Sequence, residues 1–187
     1  MKRFTLACVL AGLCLYTAAQ ENTVPQPATR LYIGDQLSNI TIIDMLNYPP
    51  GRASINQLQA GNTKVLLLDF WFTTCGACVQ QIPKLLALQH RFKAQLQIVM
   101  VTFEPDSIVR PFIARWEQKN HKKLSLPIAT ADTLLQHYFD QGPRPNYAIL
   151  GPNRVYMAHG SPALVTPAII ESMLSTVAAT RPPHRKR

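Results

Sequence analysis

The chain has 187 residues, of which 47% are hydrophobic and 16% charged. That length suits one domain able to bury its own core, and the apolar content excludes general disorder despite 15 prolines. No apolar run reaches the ~18 residues of a membrane-spanning helix, which excludes a polytopic membrane protein. The net charge of +9 would suit an acidic partner such as nucleic acid, so its location matters. Two of those charges, Lys2 and Arg3, open the chain, and Arg181, Arg185, Lys186 and Arg187 close it. The +3 left on the body includes Lys84, Arg91, Lys93, Lys119, Lys122 and Lys123, dispersed and without aromatic interleaving. Nucleic-acid binding is therefore not expected.

In chain order, residues 1–19 join a short basic start to an apolar stretch (4–16) and end in Thr17-Ala18-Ala19. This pattern reads as a secretory signal peptide cut near Ala19, with export to the periplasm or another extracytoplasmic space. A buried N-terminal helix is the competing reading, and it would need cover on every side. No lipidation is expected at Cys14, which follows Leu13 rather than a small residue, nor at Cys8, which has little apolar sequence before it. A polar leader (20–30) precedes a single expected domain (31–180), and a basic tail (181–187) follows.

Within the domain, residues 40–46 read as a strand and 54–60 as a short helical turn. Residues 64–72 form an almost continuous apolar run, the signature of a strand buried on both faces. Residues 76–92 have helical spacing with Ile82, Leu85, Leu86 and Leu88 on one side, 96–103 are a second buried strand, and 106–119 a helix. A short helix is expected at 132–139, capped by Asp132. A hairpin follows over 147–150 and 155–159, turning at Gly151-Pro152-Asn153, and Thr166-Pro167 opens a last helix to residue 179. The alternation predicts an α/β domain with a mixed sheet and helices on both faces.

After export only Cys75 and Cys78 of the four cysteines would remain. A pair so close in sequence staples nothing distant, so it is not a disulfide framework. Cys75-Gly76-Ala77-Cys78 lies where a buried strand yields to a helix. There Cys75 would meet the unpaired N–H groups and positive dipole end of the helix, which lower a thiol pKa and make a nucleophile. Cys78, one turn on, is placed to resolve a mixed disulfide formed at Cys75.

The stretch LLLDFWFTTCGACVQQIP, residues 66–83, resembles the exported TlpA-like thiol–disulfide oxidoreductases of the thioredoxin superfamily. Asp69, Phe70, Trp71, Cys75, Gly76, Cys78 and Pro83 match the pattern; Thr74 stands where Trp is usual and Ala77 where Pro is frequent. The likeness runs from about residue 34 to 179, including a strand ahead of the domain and an insertion around 106–123. It implies a thioredoxin-like three-layer sandwich with an N-terminal strand extension. It also implies a cis-proline at Pro145, exposing the backbone of Arg144 to an extended substrate, and a proton-relay role for the buried acid Asp69. Arg144 is unusual there, and its charge is expected to favour the Cys75 thiolate and tune substrate choice.

The functional expectation is thiolate attack by Cys75, resolution by Cys78 and proton handling by Asp69, more in the reducing than the oxidising direction. Protein disulfides or dithiols would be substrates, and a membrane-bound upstream donor would return electrons to a monomer. No cofactor or metal is expected beyond the Cys75–Cys78 disulfide itself. Trp71 reads as core, Pro83 as a helix bend, and Glu104 as a surface turn acid rather than an aid to proton transfer. His90, His121, His137, His159 and His184 are scattered and read as structural or exposed. Two alternatives stay open: a copper or zinc binder using both cysteines with a histidine such as His137, and a non-catalytic binding module. A peroxiredoxin-type peroxidase would need Pro and Thr where Leu68 and Phe72 stand. Val79 after Cys78 excludes a c-type haem site.

Overall fold

A computed structural model of the chain describes residues 30–139 and 142–180. The expected signal peptide, nearly all of the leader, and the basic tail lie outside the described residues.

The elements are β1 (Thr41–Ile42), β2 (Met45–Leu46), β3 (Ala53–Ser54), α1 (Ile55–Leu58), β4 (Val65–Phe70), α2 (Gly76–Arg91) and β5 (Leu96–Val101). There follow α3 (Asp106–Asn120), β6 (Ile128–Ala129), α4 (Leu134–Tyr138), β7 (Asn146–Leu150), β8 (Tyr156–Gly160) and α5 (Pro167–Thr180). Every residue of β4 is buried, which is why its sequence shows a continuous apolar run and no alternation. It sits inside an open six-stranded sheet ordered β2-β6-β5-β4-β7-β8. Its partners are β5, parallel, and β7, antiparallel, so the sheet is mixed.

Both crossovers, β4–α2–β5 and β5–α3–β6, step toward the same edge. Right-handed connections therefore place α2 and α3 on one face, where α5 joins them. That face buries Leu67, Trp71, Ile98 and Met100 against Ile82, Leu85, Phe112, Trp116, Ile170 and Leu174. The other face buries Leu66, Leu68, Phe70, Val99 and Val101 under α1, α4 and the chain leading into β1 and β2, through Ile55, Leu58, Leu135, Leu37 and Met45. At roughly 1.5–3 kcal/mol per fully buried large side chain, these two apolar layers carry the domain.

The structure refines two of the expected elements and adds one strand. The strand expected at 40–46 is two separate pieces, because the chain turns outward at Ile43, 70% exposed, and inward again at Met45 and Leu46. β1 pairs with β3, while β2 pairs with β6 at the sheet edge. β6 leaves no signal in the sequence, since two residues carry no periodicity. The helix expected from 132 begins at Leu134, yet Asp132 Oδ1 still accepts the N–H of Gln136 at 3.1 Å.

Candidate active site

The chain leaves β4 at Phe70, crosses five residues, and enters α2 with Cys75 in the N-cap position. Cys75 has extended backbone angles (φ −79°, ψ 93°), and its Sγ accepts the N–H of Cys78 at 3.2 Å. The first turn of α2 holds no acidic residue, so the positive end of the helix is free to act on sulfur. Cys75 and Cys78 are joined as a disulfide, their Cα atoms 5.2 Å apart. Cys75 is 8% exposed and Cys78 1%, which makes Cys75 the sulfur an incoming group can reach. Thr74, Gly76 and Ala77 are exposed around it, and a Cβ added at Gly76 would meet open space. Pro83 is exposed on α2, which runs through it unbroken.

Asp69 is 1% exposed in the centre of β4. Strand alternation sets it with Leu67 and Trp71 on the face that α2 covers, the helix that carries Cys78. Its cross-strand neighbours are Tyr147 on β7 and Met100 on β5. Neither carboxylate oxygen has a hydrogen-bond partner among the described residues. Burial pushes the carboxyl up to about 8, and the Arg144 charge opposes that rise. The Tyr147 hydroxyl is also pushed up, by burial first and by Asp69 second. Trp71 is fully buried and tilted on Phe112 at 5.1 Å between ring centroids, as its apolar setting suggests.

The Arg144–Pro145 bond is cis, and Pro145 is buried where the chain enters β7. The Arg144 guanidinium lies over the Phe70 ring, 5.5 Å from its centroid, and donates to Gln136 Oε1 at 2.9 Å. Phe70 faces the side of the sheet opposite Asp69, so the guanidinium acts on Asp69 from across the end of β4.

Glu104 departs from its expected place as a surface turn acid. It is half-buried beyond β5, and both its oxygens are turned inward onto Thr73: Oε2 accepts the Thr73 N–H at 2.7 Å and Oε1 the hydroxyl at 2.8 Å. A 31-residue separation hides this pair from any local pattern. His90, His121 and His137 are exposed, His159 is half-buried on β8, and His184 lies outside the described residues. Among the described residues no three of His, Cys, Asp or Glu come together, so His137 does not join the cysteines in a ligand set.

No protein-family model and no curated protein sequence matches this chain. Solved structures do. The thioredoxin domain of a thiol–disulfide oxidoreductase from Bacteroides vulgatus aligns with TM-score 0.58 at 20% identity, over 77% of this chain and 99% of that one. The chain has the thioredoxin fold. A thiol–disulfide oxidoreductase from Bacteroides fragilis shares it, with TM-score 0.56 at 14% identity over 74% of this chain and 99% of its own. So does peroxiredoxin 6 of Arenicola marina, with TM-score 0.58 at 11% identity over 84% and 80%. The thioredoxin fold thus hosts more than one thiol chemistry, and the chemistry here has to be argued from the site.

Proposed function

We propose that the protein is an extracytoplasmic thiol–disulfide oxidoreductase that reduces protein disulfides. The observation that carries this reading is the capping geometry: Cys75 Sγ, the more exposed sulfur, sits at the start of α2 and accepts the Cys78 N–H. A thiolate there is stabilised by that hydrogen bond and by the helix dipole.

In the reduced protein the Cys75 thiolate attacks one sulfur of a substrate disulfide. The substrate S–S bond breaks, a Cys75–substrate disulfide forms, and one substrate thiolate leaves. Cys78 loses its proton to the Asp69 carboxylate and attacks Cys75 Sγ, releasing the second substrate thiolate. Two electrons pass to the substrate, whose thiolates take up protons, and the protein ends as the Cys75–Cys78 disulfide. An external dithiol, on a membrane-bound donor, returns the two electrons. Arg144 supports this sequence in two ways: its charge opposes the burial that keeps Asp69 protonated, and its backbone, ahead of the cis bond to Pro145, pairs with an extended substrate. The basic start and apolar stretch of residues 1–19 support export.

The test is a redox titration of the full chain in glutathione buffers, reading the Cys75–Cys78 state by alkylation, with Cys75→Ser and Cys78→Ser as controls. A reversible two-electron transition, together with turnover of insulin disulfides on supply of a dithiol, is expected. A pair that never forms a disulfide across the series, or stoichiometric copper or zinc with no turnover, would sink the reading.

A further inference from the structure

We propose that Glu104 is a positioning residue for Cys75: its carboxylate braces the segment between β4 and α2 and thereby sets the reactivity of the attacking sulfur. This deepens the oxidoreductase reading, in which Cys75 is the attacking thiol.

The brace is built from two loops. Residues 71–75 carry the chain from the end of β4 to the N-cap of α2; Trp71 still donates its N–H to the Val101 carbonyl of β5 at 3.1 Å, and beyond it no strand ladder holds residues 72–75. Within the segment Cys75 donates its N–H to the Phe72 carbonyl at 3.0 Å, which closes a turn around Thr73 and Thr74. Glu104 holds that turn from outside, taking both the N–H and the hydroxyl of Thr73. The adjacent pair repeats the link, with the Phe72 and Phe103 rings tilted together at 6.1 Å. Glu104 is itself held: its N–H donates to Thr102 Oγ1 at 3.2 Å, and its carbonyl accepts the Ala131 N–H at 2.8 Å. The anchorage therefore runs from the loop after β6, through the loop after β5, into the turn that presents Cys75. A solvated turn acid would direct its oxygens to water, and this one directs both into the protein. A proton carrier for the cysteines would need an oxygen turned toward them, and both are engaged by Thr73.

The consequence for sulfur follows from the capping geometry. Thiolate stabilisation at a helix start depends on holding Sγ over the first N–H groups. Releasing the turn lets Cys75 drift from that position and raises its pKa. The carboxylate charge works in the opposite direction, since removing a negative charge near a thiolate lowers its pKa. The two effects have opposite signs, so substitution separates them. Glu104→Ala removes brace and charge together. Glu104→Gln removes the charge and keeps the brace, because an amide oxygen accepts the Thr73 N–H and an amide N–H can donate to the Thr73 hydroxyl.

The experiment is the pH dependence of Cys75 alkylation in the reduced full chain, read on the Cys75 peptide by mass spectrometry. Glu104→Ala is expected to raise the midpoint by about 0.5 pH unit or more, roughly a threefold loss of thiolate below it. Glu104→Gln is expected to keep the wild-type midpoint or lower it. Thr73→Val, which keeps the N–H and loses the hydroxyl, should move it part of the way in the Glu104→Ala direction, and decides the matter if Glu104→Ala does not fold. A Glu104→Ala midpoint no higher than that of Glu104→Gln overturns the proposal, as does an unmoved midpoint in Thr73→Val where Glu104→Ala does not fold. Alkylation needs no turnover, so this result stands or falls separately from the redox titration of the pair.

Discussion

A carboxyl group sealed in a strand of leucine and phenylalanine either loses its charge or finds a partner. Asp69 does the first, its pKa pushed up from 3.8 to about 8 by burial. Because the folded pKa lies above the unfolded one, the native state holds the proton longer. Stability is then fully present below pH ~4 and declines as pH rises toward about 8. Asp69→Asn should therefore match the wild type near pH 4 in urea unfolding and exceed it by a few kcal/mol at pH 8 to 9. A constant difference across that range would contradict the assignment. The gain in stability should come with a functional loss: resolution of a Cys75 mixed disulfide by Cys78 should accelerate with pH toward about 8 in the wild type and lose that dependence in Asp69→Asn. Arg144→Met should move Asp69 further up, since its cation favours the carboxylate. A carboxyl NMR titration of the oxidised protein reads this directly, and an unchanged midpoint would remove Arg144 from the proton chemistry.

Among the elements, α2 and α3 show how helix ends are used differently. The start of α2 leaves its first turn without an acidic residue, so its dipole remains available to sulfur. The end of α3 is a simple stop, where His121 adopts the left-handed conformation (φ 48°, ψ 38°) and its N–H returns to the Glu117 carbonyl. That conformation costs a residue bearing a Cβ roughly 1 kcal/mol. His121→Gly is expected to recover about that amount, seen as a higher urea midpoint at unchanged slope, with no effect on Cys75 alkylation. A lower midpoint would mean that the imidazole contributes packing that outweighs the backbone gain.

On the scale of the molecule, the disulfide and the fold are nearly independent. The bridge spans a separation of three residues, and closing so short a loop constrains the unfolded chain by only about 2 kcal/mol. Two apolar layers, one on each face of the sheet, hold the domain together without it. Reduction should therefore leave the far-UV circular dichroism unchanged and preserve one cooperative urea transition, with stability altered by no more than about 2 kcal/mol. A reduced chain that melts would make the pair a staple and weaken its reading as a redox couple.

β4, α2 and the cysteine pair between them can be read directly from the order of residues. Each is announced locally, by a continuous apolar run, by helical spacing, and by two thiols three residues apart. Asp69 was legible too, because one acid in a run of leucines is conspicuous without any knowledge of its neighbours. Contacts whose partners lie far apart in the chain emerge only in the folded molecule: Glu104 on Thr73, Arg144 over Phe70, and the two-residue strands β2 and β6 at the sheet edge. A short local pattern reports burial and propensity. It cannot report which side chains meet, because that depends on the crossovers and register of the whole sheet. For Glu104 this separates an acid in water from one that braces the turn presenting Cys75.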